Sequence, residues 1–498
     1  METEYKIING RAKTQWIPFF RQVLVAFIIW ISFLMTGLAM GTPTVAIPQL
    51  RLEANSSAVV SSEMSSWISS SIGYSGAICV FIMVPIAHYW GRKFTMIILS
   101  VTTLIASAVI YFSKTPMHLL ISQLIFGLPI GAQTSVFLLI LSEYSSPQYR
   151  GVLLTMKTSS FFWGIWIANA TGIFTHYKYI GLIGIGWSGF SLIISLFIPE
   201  SPYWLAYRGR HDECAESHRW MKGVDENSEK ELKALLNSVK ENNEKKQSIT
   251  SLRQYFKDSR TAIKKPEVFK PIILGCLTGS IYHLSGKLAC AVYAIEMMKK
   301  LSGNQSTVYV GVLTLDGFSI LGMYVGSGLS KILKRRTLLL SMTISGTIFL
   351  FTLSIYLYLI KLSVLPENVY IIIGLLVGYT LSICCGPMIL ATSIAAELFP
   401  FELRSVCAGF FSIFVMLLMS SVVKVSPYVF NSVGFEGAYL GFGICATIVI
   451  ILEYKYLPET KDKTLYEIAE MFKIKKQSET TECKLLESND PETKALET

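Results

Sequence analysis

Glu143-Tyr144-Ser145-Ser146-Pro147-Gln148-Tyr149-Arg150-Gly151 is a charged stretch set between two long apolar segments, where only a junction has a place for one. Glu397-Leu398-Phe399-Pro400-Phe401-Glu402-Leu403-Arg404 echoes it, with an acid, a proline and an arginine and the same step from acid to arginine. Gly91-Arg92-Lys93 is answered by Lys334-Arg335-Arg336, and Pro199-Glu200-Ser201-Pro202 by Pro458-Glu459-Thr460-Lys461. All three pairs share an offset of roughly 250 residues, the period expected when a six-helix unit is used twice.

With 498 residues, 52% of them hydrophobic, 16% charged and a mean hydropathy of +0.48, the chain is too apolar for a soluble globular protein. Its net charge of +10 does not point to nucleic acid, because Lys and Arg gather beside apolar runs and form no single basic domain. The first apolar run begins near Phe19, lacks a small-residue cleavage site and is long enough to span, so it reads as a retained helix and not a signal peptide. Seven of the nine cysteines fall in apolar segments, and Cys214 and Cys483 in charged ones. None has zinc-like spacing, so neither a metal nor a disulfide framework is expected, and no cofactor is implied.

A bilayer core takes about 20 apolar residues per helix. That rule gives twelve spans, at 20–42, 66–89, 94–113, 117–141, 152–174, 179–198, 269–291, 307–331, 337–360, 368–394, 405–425 and 434–457. The expected fold is an all-α membrane protein with two pseudo-symmetric six-helix bundles, residues 1–198 and 269–457. They are joined by a polar linker, 199–268, and followed by a tail, 458–498. Thirteen Lys and Arg residues border one set of short loops and six the other, which predicts both termini and the linker in the cytoplasm. The sequons at Asn55 and Asn304 then fall outside as glycosylation sites, whereas Asn169-Ala170-Thr171 lies within a span and is a chance match. In the linker, 203–221 and 228–243 carry apolar residues at helical spacing, and so does Leu465–Phe472 after the last span, so short amphipathic helices are expected there. Beyond about Lys475 the composition predicts disorder.

Lys287 and Asp316 stand out inside spans seven and eight, since ionisable groups in a membrane usually pair or line a pathway. They either form an ion pair beside a cavity, or Lys287 snorkels to an interface while Asp316 faces an aqueous vestibule. The six histidines are scattered, no nucleophile elbow accompanies a Ser-His-Asp order, and no glycine-rich phosphate loop follows a strand, so no enzyme is expected.

Over nearly its whole length the chain resembles the sugar-porter family of the major facilitator superfamily, and within it the insect facilitated trehalose transporters. Pro199-Glu200-Ser201-Pro202-Tyr203-Trp204-Leu205 is similar to the family signature after helix 6, and Pro458-Glu459-Thr460-Lys461 with Thr464-Leu465 and Glu467-Ile468 to that after helix 12. Ser66-Trp67-Ile68 and the Glu143–Gly151 stretch resemble the insect branch. Departures concentrate at the family's sugar-contacting positions. The helix 7 amides are replaced by Tyr282-His283-Leu284-Ser285-Gly286-Lys287-Leu288, the helix 5 Gln by Thr158, and the helix 8 Asn by Ser319. Helix 10 keeps Gly386-Pro387 but has Thr392 near the family Trp, and Gln123 stands for the family Arg in helix 4.

The resemblance implies a facilitative plasma-membrane transporter of a sugar such as trehalose or a hexose, working by alternating access as a monomer, with a small polar solute and membrane lipid as its partners. The rewritten site leaves a non-sugar polar solute as one alternative, and a non-transporting sensor on the same scaffold as another. A buried polar solute needs matched hydrogen-bond partners, and the candidates are Gln133, Thr158, Tyr282, His283, Lys287, Asp316, Ser319, Thr392 and Ser393. For any single Ser or Thr the competing reading is a back-bond to the carbonyl one turn earlier. For His283 it is a packed core position. The family's proton-driven members carry an acid in helix 1. Phe27–Gly41 has no ionisable residue, so passive diffusion is expected. By resemblance, Arg92, Glu143, Arg150 and Glu200 in one half and Arg335, Glu397, Arg404 and Glu459 in the other form a cytoplasmic gate. Ordinary loop solvation is the competing account of these charges.

Overall fold

The computed structural model describes residues 2–54, 56, 59–246, 266–301, 305–399, 404–461, 467 and 471–472. The first half comprises α1 (Glu2–Glu53), α2 (Ser62–Tyr89), α3 (Arg92–Tyr111), α4 (Pro116–Ser135), α5 (Phe137–Tyr144), α6 (Pro147–Phe174) and α7 (Lys178–Phe197). The linker folds as α8 (Pro202–Tyr207), α9 (His211–Lys222) and α10 (Glu226–Lys246). The second half comprises α11 (Pro266–Leu284), α12 (Lys287–Val292), α13 (Ala294–Leu301), α14 (Gln305–Ile332), α15 (Arg335–Lys361), α16 (Val369–Cys385), α17 (Pro387–Leu398), α18 (Arg404–Ser432) and α19 (Gly434–Tyr456).

The helix starts follow from local chemistry. Ser61 accepts from the Met64 N–H at the head of α2, Ser201 from Trp204 at α8, and Asn368 from Tyr370 at α16, while Pro116, Pro147, Pro202 and Pro387 occupy first turns. Among the described residues, nine of the expected twelve spans are each long and apolar enough to cross a membrane. The other three expected crossings are α4 with α5, α6, and α11 with α12 and α13. Three spans are broken, at Val136, at Ser285-Gly286 and Tyr293, and at Gly386. Gly286 is left-handed (φ 78°), a conformation that costs glycine little.

Lipid offers helices no hydrophobic reward for associating, so close packing and internal hydrogen bonding must do it. Gly37 in α1 and Gly164 in α6 show the packing: a Cβ on Gly37 would lie 2.0 Å from the Phe161 carbonyl oxygen and 2.9 Å from the Gly164 Cα. Many hydroxyls inside the spans are satisfied locally, among them Thr36 to the Ser32 carbonyl at 3.1 Å, Ser70 to Ser66 at 2.7 Å and Thr343 to Leu339 at 2.6 Å. One buried apolar cluster runs through both halves, joining Ile68 and Ile72 of α2 to Met416 and Met419 of α18.

The six crossings expected of each half put the chain start, the linker and the stretches around Glu143 and Glu397 on one face, here called the linker face. The linker helices pack on the first half. Arg21 of α1 donates to the Trp220 carbonyl (2.8 Å) and stacks on the Trp220 ring 4.8 Å from its centroid. Gln22 donates to the Met221 carbonyl (3.4 Å) and to Ser146 (3.0 Å).

Candidate functional site

On the linker face of the first half, Arg92 opens α3 and Glu143 closes α5. The guanidinium donates twice to the carboxylate, Nε at 2.9 Å and Nη2 at 2.7 Å, with both side chains 10% exposed or less. A fork-to-fork pair of this burial is hydrogen-bonded on both sides, and removing one partner strands the other charge. Nη1 of Arg92 donates to the Ala87 carbonyl (3.0 Å), and Ser201 donates to Glu143 (2.5 Å). Glu200 receives the backbone N–H groups of Arg92 (2.7 Å), Lys93 (3.1 Å) and Ser201 (2.8 Å), so a carboxylate caps the positive end of α3. Burial pushes the Glu200 carboxyl above its ordinary range, while those N–H groups and the Arg92 charge pull it down. This approach needs a glycine at 91, where φ is 98° and an added Cβ would sit 2.1 Å from Glu200 Oε2.

The second half repeats the arrangement. Arg335 pairs with Glu397, and Glu459 accepts from the N–H groups of Arg335 (3.1 Å) and Arg336 (3.2 Å) at the head of α15. Lys334 stands where Gly91 does, and its φ of −65° is ordinary backbone that needs no glycine. The second pair is the more open, with side chains 30% and 23% exposed. Both pairs lie within a half. The side chains of Arg150 and Arg404 lie outside the described residues, as do Asn55 and Asn304.

Toward the opposite face, three of the ties between halves stand out. Arg51, at the end of α1, donates to Glu296 of α13 at 2.6 Å and, within its own half, twice to the Val60 carbonyl, at 3.2 and 3.0 Å. Lys424 of α18 donates to Ser66 of α2 (2.8 Å) and sits 3.8 Å from the Trp67 ring centroid. Thr44 of α1 donates to the Val292 carbonyl at the end of α12 (2.8 Å).

Deeper in, Asn169 of α6 donates through Nδ2 to Asp316 Oδ2 of α14 at 2.6 Å, again between halves and with both residues buried. Asp316 lines a cavity of about 10 Å³ with Lys287, Cys290, Met297, Tyr379 and Thr380, room for about one water. Lys287 is 3% exposed and has no hydrogen-bond or salt-bridge partner among the described residues. The two charges thus share one cavity while the carboxylate is held by an amide of the other half.

The remaining candidates are spread more widely. Gln133 spends its amide on α1, donating to Thr36 (2.5 Å) and the Ser32 carbonyl (2.9 Å). Ser319 and Ser393 back-bond to Leu315 (2.9 Å) and Leu390 (3.0 Å). Tyr282 and His283 are buried edge to face, with centroids 5.2 Å apart, and His283 Nδ1 has no hydrogen-bond partner among the described residues. Thr158 is partly exposed and Thr392 exposed. The break after Leu284 is pinned by Tyr379, whose hydroxyl donates to the Ser285 carbonyl (2.7 Å). Sequence reading missed Asn169, Lys424 and the Arg51–Glu296 pair. For the first two the signal was present, a polar residue within an apolar run; Arg51 and Glu296 are 245 positions apart and carried none.

The family model described as "Sugar (and other) transporter" matches residues 25–472. "Facilitated trehalose transporter Tret1" of Drosophila yakuba is 24% identical over 494 residues, covering 96% of this chain and 55% of that protein. Its namesake in Polypedilum vanderplanki is 23% identical over 486 residues, covering 96% and 94%. The chain therefore spans about half the length of the Drosophila relatives it matches. Among solved structures, an inward-open form of the xylose transporter XylE from E. coli superposes with a TM-score of 0.71 at 14% identity, over 90% of this chain and 99% of that one. The proton:xylose symporter XylE bound to 6-bromo-6-deoxy-D-glucose gives 0.69 at 15%, over 90% and 99%. At these identities the likeness to XylE is one of fold, that of the major facilitator superfamily.

Proposed function

The chain belongs to the sugar (and other) transporter family, and from that premise we propose that it is a facilitative transporter of a sugar such as trehalose or a hexose. Residues 1–198 and 269–457 rock as two units, with the linker face toward the cytoplasm and the opposite face outside the plasma membrane. The observation that carries this reading is the buried Asn169–Asp316 hydrogen bond, a polar contact between halves deep within their spans. Such a contact is costly in lipid unless a polar pathway or solute makes use of it. Arg51–Glu296 and Lys424 with Ser66 and Trp67 hold the outer side shut in this conformation, while each cytoplasmic acid–arginine pair stays within its own half. In the outward-facing state the two cytoplasmic sets, with Arg150 and Arg404, clamp together. Transport is passive, as helix 1 has no ionisable residue from Phe27 to Gly41. The protein works as a monomer and carries glycans at Asn55 and Asn304.

Uptake of radiolabelled trehalose and glucose into proteoliposomes of the purified chain tests this. The expected result is equilibration without accumulation, the same with and without a pH gradient. Gradient-driven accumulation overturns passive transport, and uptake of no sugar overturns the sugar reading. Lys287 in the cavity favours a second reading, a non-sugar polar solute, so amino acids and polyols belong in the same panel.

A further inference from the structure

The cavity between α12 and α14 holds an unusual pair for a site meant to take a neutral solute. Lys287 is a buried ammonium with three donors and no partner among the described residues. Asp316 is a buried carboxylate with one oxygen, Oδ2, committed to Asn169. Its Oδ1 has no partner among the described residues. An ammonium can only donate and a carboxylate can only accept. A ligand satisfying both must therefore present an acceptor and a donor side by side, and the net charge of the pair is zero. A lone carboxylate ligand would be repelled by Asp316, and a lone amine by Lys287.

Adjacent hydroxyls meet the requirement, since one can accept from an ammonium while its neighbour donates to a carboxylate. On the reading that the chain carries a sugar, we infer that Lys287 and Asp316 form a subsite for a vicinal diol of a neutral sugar, with Asn169 as the residue that positions Asp316. Neither Lys287 nor Asp316 stands at the helix 7 amide positions taken by Tyr282, His283 and Leu288, so the diol is read by a charged pair and not by amides. The cavity admits about one water here, so the sugar enters only when the halves part. That motion stretches the one hydrogen bond joining Asp316 to the other half and releases Oδ2 for the incoming hydroxyl. Solute entry and loss of a contact between halves then become one event.

The test uses the full chain in proteoliposomes, with D-glucose, its 2-, 3-, 4- and 6-deoxy analogues, gluconate and glucosamine as competitors of uptake. Two analogues that remove neighbouring hydroxyls should each lose roughly 10- to 100-fold in apparent affinity, because a buried charge is left unmatched. In Lys287→Met one of those two penalties should disappear, and in Asp316→Asn the other should shrink, while the remaining analogues behave as in the unmodified chain. Asn169→Ala should raise the apparent KM for glucose without choosing between the analogues. The analogue series on the unmodified chain needs no variant to fold, so equal losses for all four analogues would sink the subsite while leaving sugar transport intact. Gluconate or glucosamine outcompeting glucose would replace the neutral diol with a charged solute. Absence of any sugar uptake overturns the sugar reading and this inference together.

Discussion

On the proposed alternating-access reading, neutralising Glu296 should loosen the closure on the face opposite the linker by a small, calculable amount. Glu296→Gln removes an ion pair between the halves, to Arg51, with side chains 38% exposed at Glu296 and 26% at Arg51. Pairs this open contribute about 0.5–1 kcal/mol, and at about 1.4 kcal/mol per decade that is a two- to five-fold shift toward the outward-open state. Arg51→Ala should shift the gate by the same factor, although it also loses two bonds to the Val60 carbonyl. Those bonds lie within the first half, which moves as one unit in the proposed rocking, so they should affect stability and not the gate; only differential contacts move the equilibrium. Electron-paramagnetic distance measurements between labels on unnatural amino acids at positions 114 and 367, exposed on the face opposite the linker, read the populations. The swap Arg51→Glu with Glu296→Arg should restore the original distribution. Unchanged distances in both single variants, or a clearly larger shift in Arg51→Ala than in Glu296→Gln, would refute the reasoning.

Other consequences concern the linker face. Glu143→Gln strands the buried Arg92 charge and should cost about 3–5 kcal/mol, seen as a large fall in melting temperature in detergent. Arg210→Ala, which breaks a pair about half exposed on both sides, should change it little. Gly91→Ala forces a Cβ onto Glu200 at a φ of 98° and should cost about 1–3 kcal/mol, whereas Lys334→Ala, at φ −65°, should stay within about 0.5 kcal/mol by the same thermal assay. His218 in α9 is pushed down to about 4 by burial, with the Lys222 charge acting the same way and Glu231 and Glu229 opposing. A depressed histidine favours the neutral form when folded. Its contribution is therefore present above its ordinary 6.5 and lost as pH falls toward 4. Hydrogen-exchange protection of 211–222 should drop across that window and stay flat above it, and His218→Gln should remove the dependence.

Much of the fold was legible because twelve apolar runs and three repeated charged turns fall at a fixed offset. The positions of the two acid–arginine pairs were legible for the same reason, while their closing within each half, Arg92 on Glu143 and Arg335 on Glu397, was not. Glu200 and Glu459 follow a helix end in each half, and each caps the first turn of the third crossing of its half, α3 and α15. Breaks at Gly286 and Gly386 carry their residue signal, but the one at Val136 does not, since nothing in an apolar run marks where the hydrogen-bond ladder slips. Asn169 reads as a stray sequon until α14 is placed beside it. Whether Lys287 finds Asp316 is equally a matter of tertiary distance. Residues 465–472 were expected to be helical. Leu465, Tyr466 and Ile468–Glu470 lie outside the described residues, while Glu467, Met471 and Phe472 are in helix.

The staple between Arg21, Gln22 and the carbonyls of Trp220 and Met221 has a practical consequence. These bonds bolt the helix at 211–222 to the first bundle, so whatever grips it from the aqueous phase is carried by that bundle. An antibody fragment on its exposed flank would act as a handle on one jaw, reporting that jaw's swing without hindering the other.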